Sequence, residues 1–418
     1  MIEALQAEPR IAVDDSDRAG DGSATADLIR SPREFAGLAE EWRELFASSG
    51  CDNVFLSYEW MSAWWEQWGG AVSLFIVAIR EPAGRLVAIA PFCVRASGRF
   101  PFSRRILGFL SFSKACCDHL DILVDPGFEA AAARSIAGVL MASRRDWTYF
   151  EFADADADSP RLIELRRVLK LSGLTELAAP ASLCPFIQLP GSNLEFLASL
   201  SRSMRGNLRG YARRLEGSGP VEMRCVTAAE AIEDAFTDLV RLHGLRFKGL
   251  SHSSSFLDAD LQALHKRILV PMARAGRVRI YQLRVNGCTV AALYGFTAGR
   301  RFFHYQAGMD PAWLRDGVGA ACIAGVIEHC ISTGAVEYDF LRGNEEYKTY
   351  WTRTARQDCT YRLFDGRLAS RMELAHLRLM DSARVIKRRI ESLRGSTRSG
   401  TEQPVLHLRE HANVGMPN

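Results

Sequence analysis

Hydrophobic and polar positions alternate with a period of two in a series of short runs, as in strands half-covered by a core. Residues 24–29 form the first such run. Runs 72–79 and 86–94 follow, joined by a Pro-Ala-Gly turn that predicts a hairpin. Further strands are expected at 106–112, 118–124 and 147–152, with one or two more within 175–189. Later runs lie at 221–226, 278–285, 289–297, 302–307, 336–341 and 358–364. Asn286-Gly287 between two of them is a strong two-residue hairpin signal.

Between these runs the period changes to that of amphipathic helices. Ser31-Pro32 opens one, with Phe35, Leu38, Trp42 and Leu45 on its apolar face. Ser57 is placed to cap an aromatic helix carrying Trp60, Trp64, Trp65 and Trp68, which reads as a helix packed on a sheet, or else as an aromatic wall for a substrate. Helices are also expected at 129–143, 161–171, 201–216, 229–247, 257–275 and 317–332.

The order hairpin, strand, helix, strand occurs twice, and Gly84-Arg85-Leu86-Val87-Ala88 compares with Gly287-Cys288-Thr289-Val290-Ala291. The reading is an α+β (mixed α/β) chain of two similar halves, 24–190 and 191–369, with a boundary near Pro190 to Asn193. A basic helix follows at 370–393, with tails at 1–23 and 394–418 expected to be disordered.

Composition changes this picture little. The 418 residues exceed a single ordinary core, and 48% hydrophobic with 24% charged residues is a globular balance. A net charge of +3 gives no argument for nucleic acid. The ten cysteines show no metal spacing and read as buried thiols of a reducing cytoplasm. No segment is long and apolar enough to span a bilayer.

Candidate chemistry gathers near residues 336–351. Asp339 is expected late in a core strand and Lys348 just beyond it, with Glu345 and Trp351 alongside. Asp339 could take an acceptor's proton and Lys348 could stabilise an oxyanion, or the two could form a bracing ion pair. Upstream, Arg315, Gly317, Val318, Gly319 and Ala320 form a glycine turn feeding a helix, where backbone N–H groups and the helix dipole suit a phosphate. Arg205, Arg209 and Arg213 recur every four residues on one helix face, suited to phosphates or to solvent. His243 and Arg246 share a helix face; His243 is a candidate base. His304 and Tyr305 are adjacent, so at most one is expected to reach the site; Tyr305 is a candidate acid. Asp118, His119 and Asp121 have metal-capable atoms but no fourth ligand nearby, so no metal site is expected.

Several pieces together resemble one family. They are Phe55-Leu56-Ser57-Tyr58-Glu59-Trp60, Arg205 and Arg209, Leu242-His243-Gly244-Leu245-Arg246, and Tyr305-Gln306-Ala307-Gly308-Met309-Asp310. The most specific is Tyr338-Asp339-Phe340-Leu341-Arg342-Gly343-Asn344-Glu345-Glu346-Tyr347-Lys348 with Trp351. Over residues 24–364 the chain resembles the CelD/BcsL-type (BioF2-like) acyltransferases, a branch of the GNAT superfamily. The resemblance implies two tandem GNAT-like domains, each a mixed β-sheet flanked by helices, similar to FemAB-type peptidyltransferases. It implies chemistry in the second domain, moving an acyl (acetyl) group from acyl-CoA as co-substrate to a sugar, lipid-linked or amine acceptor in cellulose or exopolysaccharide assembly. One departure stands out: the leading Arg or Gln of a standard GNAT pyrophosphate loop is here Leu314, with the arginine at Arg315. The cofactor is then held differently, or is not coenzyme A. Two alternatives follow: an aminoacyl-tRNA donor gripped by the arginine stripe, or a non-catalytic partner of a polysaccharide synthase.

Overall fold

A computed structural model describes residues 11–12, 24–98, 103–111, 115, 117–247, 255–343 and 345–395. The expected tails therefore lie outside the described residues, apart from the two-residue strand β1 (Ile11–Ala12) and residues 394–395, which end the last helix. Contacts divide the chain into a unit reaching Leu363 and a second unit from Phe364.

The first unit opens with β2 (Thr25–Ile29), α1 (Pro32–Gly37) and α2 (Ala39–Ser48). Ser31 and Glu34 form a reciprocal capping box at the start of α1. The expected apolar face is buried at Phe35, Leu38, Trp42 and Leu45, although the helix breaks at Leu38. Ser57 caps α3 (Tyr58–Trp68) by accepting from the Trp60 N–H. The hairpin β3 (Val72–Arg80) and β4 (Leu86–Ser97) is followed by β5 (Arg104–Phe109) and the short β6 (Leu123–Val124). Then come α4 (Glu129–Ala142), β7 (Tyr149–Asp156), α5 (Pro160–Leu171) and a single long strand β8 (Thr175–Gln188).

The later part holds α6 (Asn193–Ser199), α7 (Arg202–Ser218), β9 (Val221–Val226), α8 (Ile232–Phe247) and α9 (Ala259–Arg274). The hairpin β10 (Val278–Val285) and β11 (Cys288–Ala298) turns at Asn286-Gly287, both with positive φ as a type I′ turn requires. After it come β12 (Arg301–Met309), α10 (Val318–Ser332), β13 (Glu337–Asp339) and β14 (Ala355–Phe364).

The expected strand at 118–124 is shorter than the alternation suggests. Only Leu123–Val124 is strand, with a single bridge from Leu120 to Ala155. The reason is hydrogen bonding to side chains distant in sequence. His119 sits at φ 58 and gives its backbone N–H to Asp358 rather than to a neighbouring strand. Asp121 is buried and accepts from Ser159 and Arg161.

Among the described residues the strands form one sheet, ordered β1-β2-β3-β4-β5-β7-β14-β8-β13-β12-β11-β10-β9, with β6 beside β4. The two halves repeat each other. In the first, β2-β3-β4-β5 pair antiparallel and β5-β7 parallel. In the second, β9-β10-β11-β12 pair antiparallel and β12-β13 parallel. The last strands are exchanged: β14, from the end of the unit, lies beside β7, and β8 lies beside β13. β8 thus precedes the expected boundary near Pro190 yet sits among strands of the second half.

Two apolar clusters cover the sheet. One joins the first half to α8, α9 and one face of the second half's strands. The other packs α6, α7 and α10 against the opposite face. Trp60 is fully buried in the first cluster; its ring meets Phe296, Tyr305 and His265, and its Nε1 donates to Ser111. A buried Trp removes roughly 200 Å² from water, about 5 kcal/mol as an upper bound. The aromatic helix is therefore packing between the halves. Cys51, Cys93, Cys117, Cys184, Cys322 and Cys330 are buried free thiols.

The second unit contains α11 (Leu368–Gly395), entered where Ser370 accepts from the Asp365 N–H. Leu368, Met372 and Leu379 are exposed on it. No described helix is long and apolar enough to cross a membrane.

Candidate active site

The parallel ladder between β12 and β13 ends at Phe303 opposite Asp339. Past it, the Phe340 N–H turns to the Pro185 carbonyl on the β8 side. The two parallel strands therefore part, and a cavity of about 810 Å³ opens between them. His304 to Met309 form one wall and Phe340 to Arg342 the other.

The first wall carries an irregularity. Tyr294 of β11 faces Gln306, but the next residue, Gly295, faces His304, so the ladder skips Tyr305. This is a β-bulge, which re-aims side chains beside it. His304 and Tyr305 both line the cavity as a result, against the expectation that only one could. The alternation argument fails because a bulge shifts the period by one residue. Gly295 held the clue: a glycine inside a strand often marks a bulge. A Cβ there would meet the Phe303 carbonyl at 2.4 Å.

The cavity floor is the start of α10. A turn at Pro311–Asp316 leads to Gly317 at φ 67, the N-cap of α10, which has no side-chain cap. Gly317, Gly319 and Ala320 line the cavity, whereas Val318 is fully buried in the core and does not. Tyr211 of α7 lies where a Gly317 Cβ would be, at 2.4 Å. Leu314 lines the cavity and is exposed, while Arg315 is not among the lining residues; its carbonyl accepts from Arg214.

The remaining sequence-predicted residues divide into two groups. Lys348, Arg246, Tyr305, Glu345 and Trp351 line the cavity. Lys348 is buried, with its ammonium 2.7 Å from the Arg342 carbonyl, 3.3 Å from that of Leu341 and 2.9 Å from Glu345. The Tyr305 hydroxyl donates to the Ala115 carbonyl at 2.7 Å, tying the wall to the first half. Trp351 stacks on Phe196.

Asp339, His243, Arg205 and Arg209 do not line the cavity. Asp339 is wholly buried, 3.1 Å from His119 Nε2, and accepts from the Leu341 N–H. His119 Nδ1 lies 2.7 Å from Asp358, so the imidazole sits between two carboxylates. Burial alone would lower the His119 pKa, but Asp339 and Asp358 outweigh it and hold it at about 10. Burial likewise pushes the Asp339 carboxyl up, and the His119 charge overcomes this to leave it below its ordinary value. His243 Nδ1 donates to the Ala307 carbonyl, and burial lowers its pKa to about 4. It fixes α8 against β12, where a Cβ on Gly308 would meet the His243 backbone at 2.5 Å. Arg205 donates to the carbonyls of Ala198 and Leu200, and Arg209 to that of Arg205.

Further lining residues lie outside the sequence-predicted site set, among them Asp118, Arg342 and His304. Asp118 comes from the first half, is buried, and accepts from the backbone and guanidinium of Arg342. Burial raises its pKa despite Arg342. Arg342 also reaches the Cys117 carbonyl and Asp154. His304 bonds the Tyr338 hydroxyl through Nδ1 at 3.0 Å; burial, with Lys348 nearby, lowers its pKa to about 3, so the ring is neutral. In the first half, the region beside Gly108 and Glu151 of the matching parallel pair holds a cavity of only about 10 Å³.

Residues 202–349 match the family model of an acetyltransferase (GNAT) domain. Over 76% of this chain and 94% of the other, the structure is similar to that of FemX, with a TM-score of 0.53 at 10% identity. The fold is tandem GNAT-like. A conserved protein of unknown function from Bacteroides thetaiotaomicron VPI-5482 is similar over 81% of this chain and all of its own, with TM-score 0.50 and 11% identity. A tandem GNAT protein from the clavulanic acid biosynthesis pathway also matches, over 80% of this chain and 98% of its own, at TM-score 0.39 and 11% identity. No curated protein matches the sequence. The GNAT-type segment spans most of the cavity wall, from α7 through the glycine turn to Lys348. Asp118 lies outside it.

Proposed function

We propose that this protein is an acyltransferase that moves an acyl group, acetyl in the simplest case, from a coenzyme A thioester to an amine or hydroxyl. The observation that carries the reading is the parting of β12 and β13 above the uncapped start of α10. An extended, amide-bearing donor arm fits between parted strands by strand-like hydrogen bonds. Its pyrophosphate fits the N–H groups at Gly319 and Ala320, where the helix dipole favours anions. Leu314 brings no charge there, so backbone groups carry that contact.

The acceptor would enter between Arg246, Glu345 and Lys348. Its nitrogen or oxygen bonds to the acyl carbon while Asp118 takes its proton; burial makes that carboxylate more basic than usual. With the Tyr338 hydroxyl donating to Nδ1, His304 keeps its proton on Nε2, a neutral donor for the developing oxyanion. The C–S bond then breaks, and the proton passes from Asp118 to the departing sulfur. Asp339 positions the second wall through His119, and Lys348 holds the Leu341–Arg342 carbonyls. The resemblance to CelD/BcsL-type proteins supports a sugar or lipid-linked acceptor in exopolysaccharide or cellulose assembly.

Calorimetry with acetyl-CoA tests the donor, and Asp118→Asn tests the base. The variant should bind donor as wild type does and lose about 10²–10⁴-fold in turnover. Wild type with no affinity for any coenzyme A thioester would end this reading. An aminoacyl-tRNA donor is favoured by one observation: Leu314 lines the cavity where a coenzyme A site would grip the pyrophosphate with a side chain. Binding to such RNA would weaken steeply with salt.

A further inference from the structure

The cavity mouth is flanked by an unusual surface. Arg202, Gly206, Arg209 and Arg213 fall at i, i+4, i+7 and i+11 on α7, a single outward stripe. All four are exposed. Arginines such as Arg43, Arg80, Arg161 and Arg301 are paired with acids elsewhere on the molecule. Among the described residues no carboxylate pairs with Arg202, Arg209 or Arg213. The Nε groups of Arg209 and Arg213 donate back to their own helix, which leaves the ends of both guanidinium forks facing outward. Gly206 has nothing within 4 Å of where a Cβ would be, a notch between Arg202 and Arg209.

The neighbouring flank of α7, with Ser203, Asn207 and Tyr211, is the cavity wall. Large apolar side chains stand out beside it. Leu314 and Tyr350 line the cavity yet are 60% and 54% exposed. A mouth rimmed by protruding apolar groups with uncompensated arginines alongside matches the two chemical layers of an anionic bilayer, acyl boundary and headgroup. Nucleic acid would use the arginines but leaves Leu314 and Tyr350 in water.

We propose that α7 and the cavity mouth dock on an anionic lipid surface, so that the acceptor is a lipid-anchored molecule presented to the cavity by its headgroup. The docking stands on this surface alone; the lipid-anchored acceptor rests on the acyl-transfer reading. Both cavity mouth and ridge then face the membrane.

Full-length protein without acyl donor is sedimented with vesicles of equal parts phosphatidylglycerol and phosphatidylcholine, and with phosphatidylcholine alone. Binding to the first and not the second is expected, weakening with salt. Arg202→Gln/Arg209→Gln/Arg213→Gln should lower the partition coefficient roughly a hundredfold, and Arg209→Gln alone about fivefold. Leu314→Ser/Tyr350→Ser should lower the binding that persists at high salt. Thermal melting of each variant separates lost docking from lost folding, and the single substitution remains informative should the triple variant melt early. Wild type that ignores anionic vesicles overturns the proposal. So do arginine variants that bind undiminished, since the contact then lies elsewhere. Capture of unfractionated transfer RNA at salt where vesicles are not bound also overturns it, in favour of RNA. None of these readouts depends on turnover, so docking and acyl transfer can fail separately.

Discussion

His119 carries a charge that its surroundings require. Its two ring nitrogens meet Asp339 and Asp358, from positions 220 and 239 residues further along the chain. Because its pKa is raised from 6.5 to about 10, its contribution is fully present below about pH 6.5 and is lost as pH rises through about 10. Asp339 behaves in the opposite sense: its lowered pKa gives stability above its ordinary value of 3.8, lost as pH falls through the folded value. Urea denaturation should therefore show stability falling from pH 7 to 10. His119→Gln should cost about 3–5 kcal/mol at pH 7, because it leaves two buried carboxylates facing each other, and should flatten that alkaline slope. An unchanged slope in the variant would assign the pH dependence to other groups. Local sequence made Asp339 visible as a polar residue late in a core strand, and 118–124 visible as an alternating run. It could not show that the two meet, because that pairing depends on how the halves dock. Asp118 reads in the sequence only as a metal-capable residue, and its cavity role was hidden for the same reason: it comes from Arg342 in the other half.

At the level of elements, the local signals were strong wherever one short-range interaction decides the outcome. Ser31 with Glu34, Ser57 before its helix and Asn286-Gly287 each fix a boundary through a cap or a turn. The glycine turn before α10 was visible in the same way, because a left-handed residue there needs glycine. The bulge at Tyr305 was hidden, since its cause lies across the sheet at Gly295. Two other glycines separate these effects experimentally. Gly206 lies in a helix with open space around it, so Gly206→Ala should raise stability by about 0.5–1 kcal/mol. Gly308 packs against the α8 backbone, with Leu242 C at 2.9 Å from an added Cβ, and neither partner is a flexible side chain. Gly308→Ala should cost about 1–3 kcal/mol and weaken donor binding by pushing α8 off the cavity wall. Thermal melts of the two variants, moving in opposite directions, check the assignment.

At the level of the whole molecule, the repeated order of strands was readable in the sequence, and the exchange of final strands was not. Strand order within a repeat follows from short connections. Nothing in residues 175–188 or 355–364 says which half's sheet they extend. The exchange makes a prediction about where the chain can be cut. A break after Leu174 leaves β2 to β7 as one contiguous sheet, and leaves β14-β8-β13-β12-β11-β10-β9 as another. A break at Pro190 instead strands β8 with the first fragment, so that β13 loses the neighbour pairing Glu337 to Gln188. Each fragment from the first cut would still need the other: His119 on one faces Asp339 and Asp358 on the other, and Asp118 faces Arg342. Co-expressed 1–174 and 175–418 should therefore copurify as a complex with the full chain's circular dichroism, whereas 1–190 with 191–418 should give insoluble or unassociated fragments. Equal recovery from both cuts would mean that β8 finds its place beside β13 through strand pairing alone, without its covalent connection to the second half.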